Sequence, residues 1–128
     1  MTIQIDPHYR LEILPNVGGI ARDETLDVYA ELRNNTDDTI SSANMVVVAY
    51  RADGTLCGVE ECLSYLTLRS GECKAVKVRL ELDPQIVASL RLYGETEFDE
   101  EDPRVTDSTL AEPPTFMSDY FRRKPGSP

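Results

Sequence analysis

Histidine is the residue of this sequence most suited to nucleophilic or acid-base chemistry, and the chain has a single one, His8. A Ser-His-Asp or Cys-His arrangement would therefore have to use this residue near the N-terminus. His8 is out of phase with Tyr9 and Leu11 in an alternating run, so we expect its side chain to face solvent. The sequence does not favour catalysis by histidine.

Three cysteines, Cys57, Cys62 and Cys73, could bind a metal or form a disulfide. Their spacing lacks the tight Cys-x2-Cys pairs of zinc sites, and there is no second histidine to complete four ligands. The odd number suits a reducing compartment, where buried or idle thiols are the main expectation and one disulfide is the alternative. We predict no metal and no cofactor.

Carboxylates occur in pairs and runs that could act as acid and base or hold a cation. Glu60 and Glu61 are adjacent, but neighbouring residues of a strand point to opposite faces. The acidic run Asp99-Glu100-Glu101-Asp102 lacks the spaced oxygens and turning glycine of a calcium loop. We instead predict that these four acids form part of a surface for a basic partner.

A second candidate for partner binding is an aromatic segment, residues 116–123, behind the extended Glu112-Pro113-Pro114. Its apolar residues fall at positions i, i+1, i+4 and i+5, which would place them on one side of a short helix. They are Phe116, Met117, Tyr120 and Phe121. Two interpretations remain open: the segment docks in the groove of another protein, or it folds back over its own domain.

Length and charge limit the classes of function. A chain of 128 residues forms one core-bearing domain, and its net charge of −10 opposes binding to nucleic acid or to an anionic membrane surface. A basic protein partner would be attracted. The N-terminus has neither the basic nor the apolar region of a leader, and no apolar run approaches membrane-spanning length, so we expect a cytoplasmic protein.

The elements that must position these residues are β-strands. Between residues 25 and 36, Leu26, Val28, Ala30 and Leu32 alternate with polar residues, including Asp27, which predicts a strand with one buried and one solvated face. The unbroken apolar run over residues 45–50 predicts a central strand covered on both faces. Asp53-Gly54 then predicts a two-residue hairpin turn of the primed type.

The rest of the chain to residue 98 repeats strand and turn. We predict strands over residues 9–14, 55–68, 74–82 and 90–98, a flexible Gly-Gly connection over 15–23, and one helical turn near 84–89. In the strand over 55–68 we expect a bend, with Leu63, Tyr65 and Leu66 returning to the core. The prediction is an all-β, immunoglobulin-like antiparallel β-sandwich of about six to seven strands over 1–98, followed by a tail over 99–128.

From Val28 to about Leu82 the order of turns resembles the FxLYD and related bacterial immunoglobulin-like domains. The matching stretches are Asn34-Asn35-Thr36, Tyr50-Arg51-Ala52-Asp53-Gly54, Leu68-Arg69-Ser70-Gly71-Glu72 and Val76-Lys77-Val78. Many such domains belong to exported or lipid-anchored proteins, whereas this chain shows no leader, and the acidic, aromatic tail is not part of the family pattern. The resemblance implies a sandwich and supplies no catalytic residues.

The sequence therefore favours a non-enzymatic protein-protein interaction module. One alternative is an acidic, immunity-type inhibitor of a basic toxin or effector, since opposite charge would steer the two together. Another is a hydrolase that uses carboxylates at one end of the sandwich. A homo-oligomer formed through edge strands is a further form of assembly.

Overall fold

The computed structural model describes residues 1–99, and in that range the chain folds into nine β-strands and one short 3₁₀ turn. No helix within these residues has the length and apolar character needed to cross a bilayer. The strands are β1 (Thr2–Ile5), β2 (Leu11–Ile13), β3 (Gly18–Ala21), β4 (Leu26–Asn34), β5 (Ile40–Tyr50), β6 (Leu56–Glu61), β7 (Leu66–Leu68), β8 (Cys73–Leu80) and β9 (Ser89–Glu95), with the 3₁₀ turn at Pro84–Ile86.

Two sheets pack face to face, which confirms the predicted all-β sandwich. The five-stranded sheet has the order β1-β9-β5-β6, and β7 pairs with the start of β5. The four-stranded sheet is centred on β4, which pairs with β8 on one side and with β2 and β3 on the other. Every pairing is antiparallel except that of β1 with β9.

The core lies between the sheets and follows the alternation of the sequence. Leu26, Val28, Ala30 and Leu32 of β4 are buried, as predicted. On β8, their partners Val76, Val78 and Leu80 point the same way, and the five-stranded sheet contributes Met45, Val47, Ala49 and Leu92. One pleated face of each sheet therefore supplies the core.

Strand β5 is central and covered on both faces, as its unbroken apolar run predicted. Met45, Val47 and Ala49 join the main core, whereas Val46 and Val48 form a second buried cluster on the opposite face. A strand that alternated apolar and polar residues could not fill both faces in this way.

The hairpin after β5 forms, but its turn is not the predicted primed type. Gly54 adopts a φ of 87°, while no residue other than glycine has positive φ in the described chain, so Asp53 does not. The Gly54 amide donates to the Arg51 carbonyl at 3.0 Å, and the Arg51 amide donates to the Thr55 carbonyl at 2.8 Å. This is a longer turn that ends in a left-handed glycine, followed by a register shift in the hairpin.

Three further expectations need correction. Residues 18–21, expected in a flexible connection, form the edge strand β3, because β4 offers free backbone groups there. The return from the hairpin splits into β6 and β7, and the segment between them leaves Leu63 105% and Tyr65 48% exposed instead of in the core. The strand β1, not predicted, pairs in parallel with β9. These additions raise the number of strands above the expected six to seven.

Candidate functional site

The face of the five-stranded sheet that points away from the core is the most unusual surface of the described residues. We call it the outer face, and its centre consists of Val46, Val48 and Tyr93, with Tyr50 and Val59 packed beside them. Val46 and Val48 are 0% exposed and Tyr93 is 3% exposed. A sheet in a two-layer sandwich normally turns a polar, hydrated surface in this direction.

The centre of the outer face is built by strand register. Val46 lies opposite Tyr93 on β9, and Val48 lies opposite Val59 on β6. The three strands thus bring β-branched and aromatic side chains side by side, the arrangement that stabilises neighbouring strands most. Within residues 1–99, the apolar members of this cluster all come from the sheet itself.

One end of the outer face is acidic. Glu61 and Glu95 flank Asn44 there, and both Asn44 and Glu95 are completely buried. The Asn44 side-chain amide donates to the Glu61 carboxylate at 3.0 Å, and its oxygen accepts the Cys62 amide at 3.1 Å. Burial, with Glu60 nearby, raises the pKa of Glu61 above its ordinary value. Partial burial and the charges of Glu61 and Glu95 raise the pKa of Tyr65, which is 48% exposed.

Next to the apolar centre, on the β1 side of the outer face, Arg91 lies opposite Val48 and forms a buried ion pair with Asp6. The Arg91 guanidinium Nε donates to both carboxylate oxygens of Asp6, at 3.0 and 2.9 Å. Asp6 directly follows β1, and Arg91 belongs to β9, so the pair fastens the parallel edge strand to the sheet. A cleft of about 500 Å³ beside it is lined in part by Tyr50, Ser89 and Arg91.

His8 is not directed to solvent, contrary to expectation. Its Nδ1 accepts the backbone amides of Arg10 at 3.0 Å and Leu11 at 3.1 Å, while Nε2 lies 2.7 Å from the Asp99 carboxylate. Because Nδ1 accepts two hydrogen bonds, the proton of the neutral ring sits on Nε2 and is donated to Asp99. Both ring nitrogens are therefore engaged in fastening the N-terminal segment to the end of β9.

Of the eight residues predicted to bind a partner, the structure describes one, Asp99. Its side chain is largely buried, and its carboxylate accepts from His8 and from the Thr96 hydroxyl at 3.2 Å. Asp99 thus makes contacts inside the domain. The other seven lie outside the described residues: Glu100, Glu101, Asp102, Phe116, Met117, Tyr120 and Phe121.

The three cysteines are free thiols in different surroundings, so the alternative of a disulfide is not observed. Cys62 is buried and directs its sulfur at the Met45 carbonyl, Cys57 is half-buried, and Cys73 is exposed beside Glu31. Burial raises the pKa of the Cys62 thiol. Within residues 1–99, no three histidine, cysteine or carboxylate side chains cluster closely enough to hold a metal ion.

The carboxylates considered for hydrolysis lie at a cleft of about 360 Å³ between β6 and β8. Its lining includes Glu60, Glu61, Lys77, Arg79 and Glu81. Two cations therefore accompany three acids, and Arg79 is already hydrogen-bonded to a buried carboxylate elsewhere. Glu60 and Glu61 are adjacent in β6, with Glu61 turned to Asn44 of the outer face, so the arrangement does not pair them.

Sequence reasoning missed the outer face as a site, although it predicted that β5 is covered on both sides. The signal was present in the two valines that interrupt the alternation of β5, Val46 and Val48. Tyr93, Glu95 and Glu61 come from other strands, and no local pattern places them beside these valines.

The comparisons with known proteins identify no family. No protein-family model matches the chain, and no curated protein is similar to it. Among solved structures it is similar to a beta-glucuronidase from glycoside hydrolase family 2, with 16% sequence identity and a TM-score of 0.39. That match covers 59% of this chain and 8% of the other, and it carries no argument about function. The resemblance to FxLYD domains stays a prediction.

Proposed function

We propose that this chain is a non-enzymatic protein-interaction module whose docking surface is the outer face of the five-stranded sheet. The observation that supports the proposal best is the cluster of Val46, Val48 and Tyr93, which is apolar and lies on the side opposite the core. A non-polar sheet face outside the core marks a place where another segment of protein packs.

The chemistry of the outer face indicates what would bind there. Its centre offers an apolar platform of three β-branched and two aromatic side chains, and its acidic end offers the carboxylates of Glu61 and Glu95. A segment with aromatic residues followed by Arg or Lys complements both parts. Each aromatic ring buried there would contribute about 1.5–3 kcal/mol before ordering costs, so three rings together with the ion pairs approach the roughly 8 kcal/mol of micromolar affinity.

The alternative is an acidic inhibitor of a basic toxin or effector. It is favoured by the net charge of −10, which would accelerate association with a basic protein. The two proposals differ in salt dependence, because steering by charge weakens as ionic strength rises whereas apolar docking does not. Both are compatible with a cytoplasmic location, which also suits three free thiols.

Affinity capture with the full chain and matched variants tests the proposal. We expect a specific partner to be captured by the unmodified chain and lost with Val48→Asp or Glu61→Lys, which alter the apolar centre and the acidic end. Glu60→Lys and Tyr29→Ser are the controls, since Glu60 is the exposed neighbour of Glu61 and Tyr29 lies on the other sheet. Loss of the partner with the controls as well would contradict the assignment of the surface.

Assembly through edge strands is a separate form of interaction that the structure makes testable. Within the described residues, β1 and β3 lie at sheet edges, and all four residues of β3 are exposed. A strictly monomeric mass in solution, measured by light scattering at high concentration, would count against a homo-oligomer formed in this way.

A further inference from the structure

We propose that residues 116–124 of this same chain dock on the outer face, so that a protein partner must displace them. The proposal rests on the proposed function, because it names the resident occupant of the same surface.

The centre of the outer face is more deeply buried than a single sheet layer allows. Val46, Val48 and Tyr93 are at most 3% exposed, and Asn44 and Glu95 beside them are fully buried. Within residues 1–99 the apolar side chains packed with them belong to the same sheet, which forms a single layer. A single layer leaves the upper side of its own side chains open to water, so burial this complete requires a covering segment.

The described domain and residues 116–124 carry opposite net charges. Residues 1–99 contain nine Lys and Arg against 17 Asp and Glu, a net charge of −8, whereas residues 116–124 carry Arg122, Arg123 and Lys124 against Asp119, a net charge of +2. The acidic end of the outer face presents Glu61 and Glu95. Burial raises the pKa of Glu61, so a cation at this end meets a carboxylate that water solvates poorly.

The apolar residues of the segment 116–124 match the composition of the outer face. Phe116, Met117, Tyr120 and Phe121 are spaced to share one side of a short helix, with the three basic residues directly after them. The outer face has the corresponding order, an apolar centre bordered by acids. One short segment can therefore cover the valines with its rings and reach the acidic end with its cations.

The chain between residues 99 and 116 is long enough for the segment to reach the outer face. Strand β9 ends at Glu95, which belongs to the outer face, and Asp99 is fixed to His8 four residues later. Residue 116 lies 17 residue steps beyond residue 99, a distance that spans roughly 20–25 Å as a flexible chain and up to about 60 Å when extended. The segment can reach any part of its own sheet.

Tethering makes this docking effective even when the intrinsic affinity is modest. A linker of this length gives an effective concentration on the order of 1 mM. A segment that binds with a Kd of about 10 μM in isolation would then be docked in roughly 99% of molecules, and a competing partner would lose about 100-fold in apparent affinity.

Tryptophan fluorescence provides the direct test, because the chain contains no tryptophan. In the full chain, Phe121→Trp places a single reporter in the segment, and Ser127→Trp is the matched control near the end of the tail. We expect the Phe121→Trp emission to be shifted to shorter wavelength and its quenching by acrylamide to be reduced several-fold relative to the control. Equal quenching of the two reporters would overturn the proposal.

Charge reversal locates the docking position without relying on the apolar residues. When a synthetic peptide of residues 114–125 binds to a full chain carrying Phe116→Ser, Tyr120→Ser and Phe121→Ser, Glu61→Lys in the chain or Arg122→Glu with Arg123→Glu in the peptide should each weaken its affinity by about twofold to fivefold, and combining them should restore it. Glu60→Lys should change nothing. Circular dichroism confirms folding of each variant. If Glu60→Lys and Glu61→Lys acted alike, the segment would not lie on the outer face.

A synthetic peptide of residues 114–125, added to the full chain, separates this inference from the proposed function. It should bind at least tenfold more tightly to a chain carrying Phe116→Ser, Tyr120→Ser and Phe121→Ser than to the unmodified chain, since only the former has an open face. Equal affinity, or no binding to either, would overturn the inference. Protection of the Phe121→Trp reporter together with no captured partner would defeat the proposed function alone.

Discussion

The two sheets of this sandwich present opposite kinds of outer surface. The four-stranded sheet is wet and charged: Asp27 is bound by Arg79 at 2.7 Å and by Arg22 at 2.6 Å, and Glu12 pairs with Arg33 at 3.0 Å. The five-stranded sheet instead buries two valines and a tyrosine on its outer side. The outer sides of the two sheets therefore differ in kind, with ion-paired charged side chains on one and buried apolar side chains on the other.

The outer side of the four-stranded sheet is centred on Asp27, which the sequence pattern predicted to be solvated. Asp27 was expected on the solvated face, and it is on that face, yet it is only 1% exposed because two guanidinium groups enclose it. The Arg79 hydrogen bond, together with Arg22, holds the pKa of Asp27 far below its ordinary value. Ion pairs thus cover this face locally, without another layer of protein.

The largest expected effect compares two valines of β5 on its opposite faces. If the outer face is covered like the core, Val46→Ala and Val47→Ala should each destabilise the chain by about 2 kcal/mol, because each removes two buried carbons and leaves a cavity. Lys77→Ala, on the outside of the other sheet, should stay within about 0.5 kcal/mol. Urea unfolding measures all three, and a Val46→Ala variant as stable as Lys77→Ala would refute the covered face.

The next effect concerns His8, whose side chain holds Asp99 at the start of the tail. His8→Ala removes the acceptor of the Arg10 and Leu11 amides and the donor to Asp99, so we expect a loss of about 1–2 kcal/mol in thermal or urea unfolding. Tyr9→Ala, at an exposed neighbouring position, is the control. Equal stability of the two variants would mean that the His8 contacts do not contribute.

For the outer side of the four-stranded sheet, the third prediction concerns how stability depends on pH. A carboxylate whose folded-state pKa is depressed contributes stability above its unfolded value, near 4, and loses that contribution as the pH falls further. Replacing Asp27 with Asn should therefore lower stability at pH 7 and flatten its decline between about pH 4 and pH 2. The control Asp37→Asn, at an exposed loop position, should keep the slope of the unmodified chain.

The smallest effect probes the acidic end of the outer face. The pKa of Tyr65 is raised by burial and by Glu61 and Glu95, so removing one of these charges with Glu61→Gln should move the pKa of Tyr65 back toward its ordinary value. An NMR titration of the Tyr65 ring above pH 9 measures the change. An unchanged titration would separate Tyr65 from the acidic end.

Much of this architecture follows from local patterns, and the exceptions have physical causes. The alternation of β4 and β8 and the apolar run of β5 gave the strands, their faces and the two-sided burial of β5. The local pattern did not predict the strand at Gly18–Ala21, because two glycines suggest a turn. These residues form an edge strand held by backbone pairing with β4. Backbone pairing of this kind depends on the partner strand and leaves no trace in the side-chain pattern.

The candidate site was less predictable than the fold. Residues 45–50 indicated that both sides of β5 are covered, but the acidic end unites Asn44, Glu61 and Glu95 from three strands, and register alone brings them together. For His8, alternation in sequence was a poor guide, because the residue lies before β2 in a turn where its ring accepts backbone amides. Side chains in turns are placed by hydrogen bonds that periodicity does not describe.

The most direct measurement of the central claim is a set of methyl-to-ring nuclear Overhauser effects in the full chain, with labelled valine methyl groups and labelled Phe and Tyr rings. The account predicts contacts from the Val46 and Val48 methyl groups to the rings of Phe116, Tyr120 or Phe121, in addition to those of Tyr93. Contacts from both valines to Tyr93 and Tyr50 alone, with water-exposed methyl groups, would contradict it.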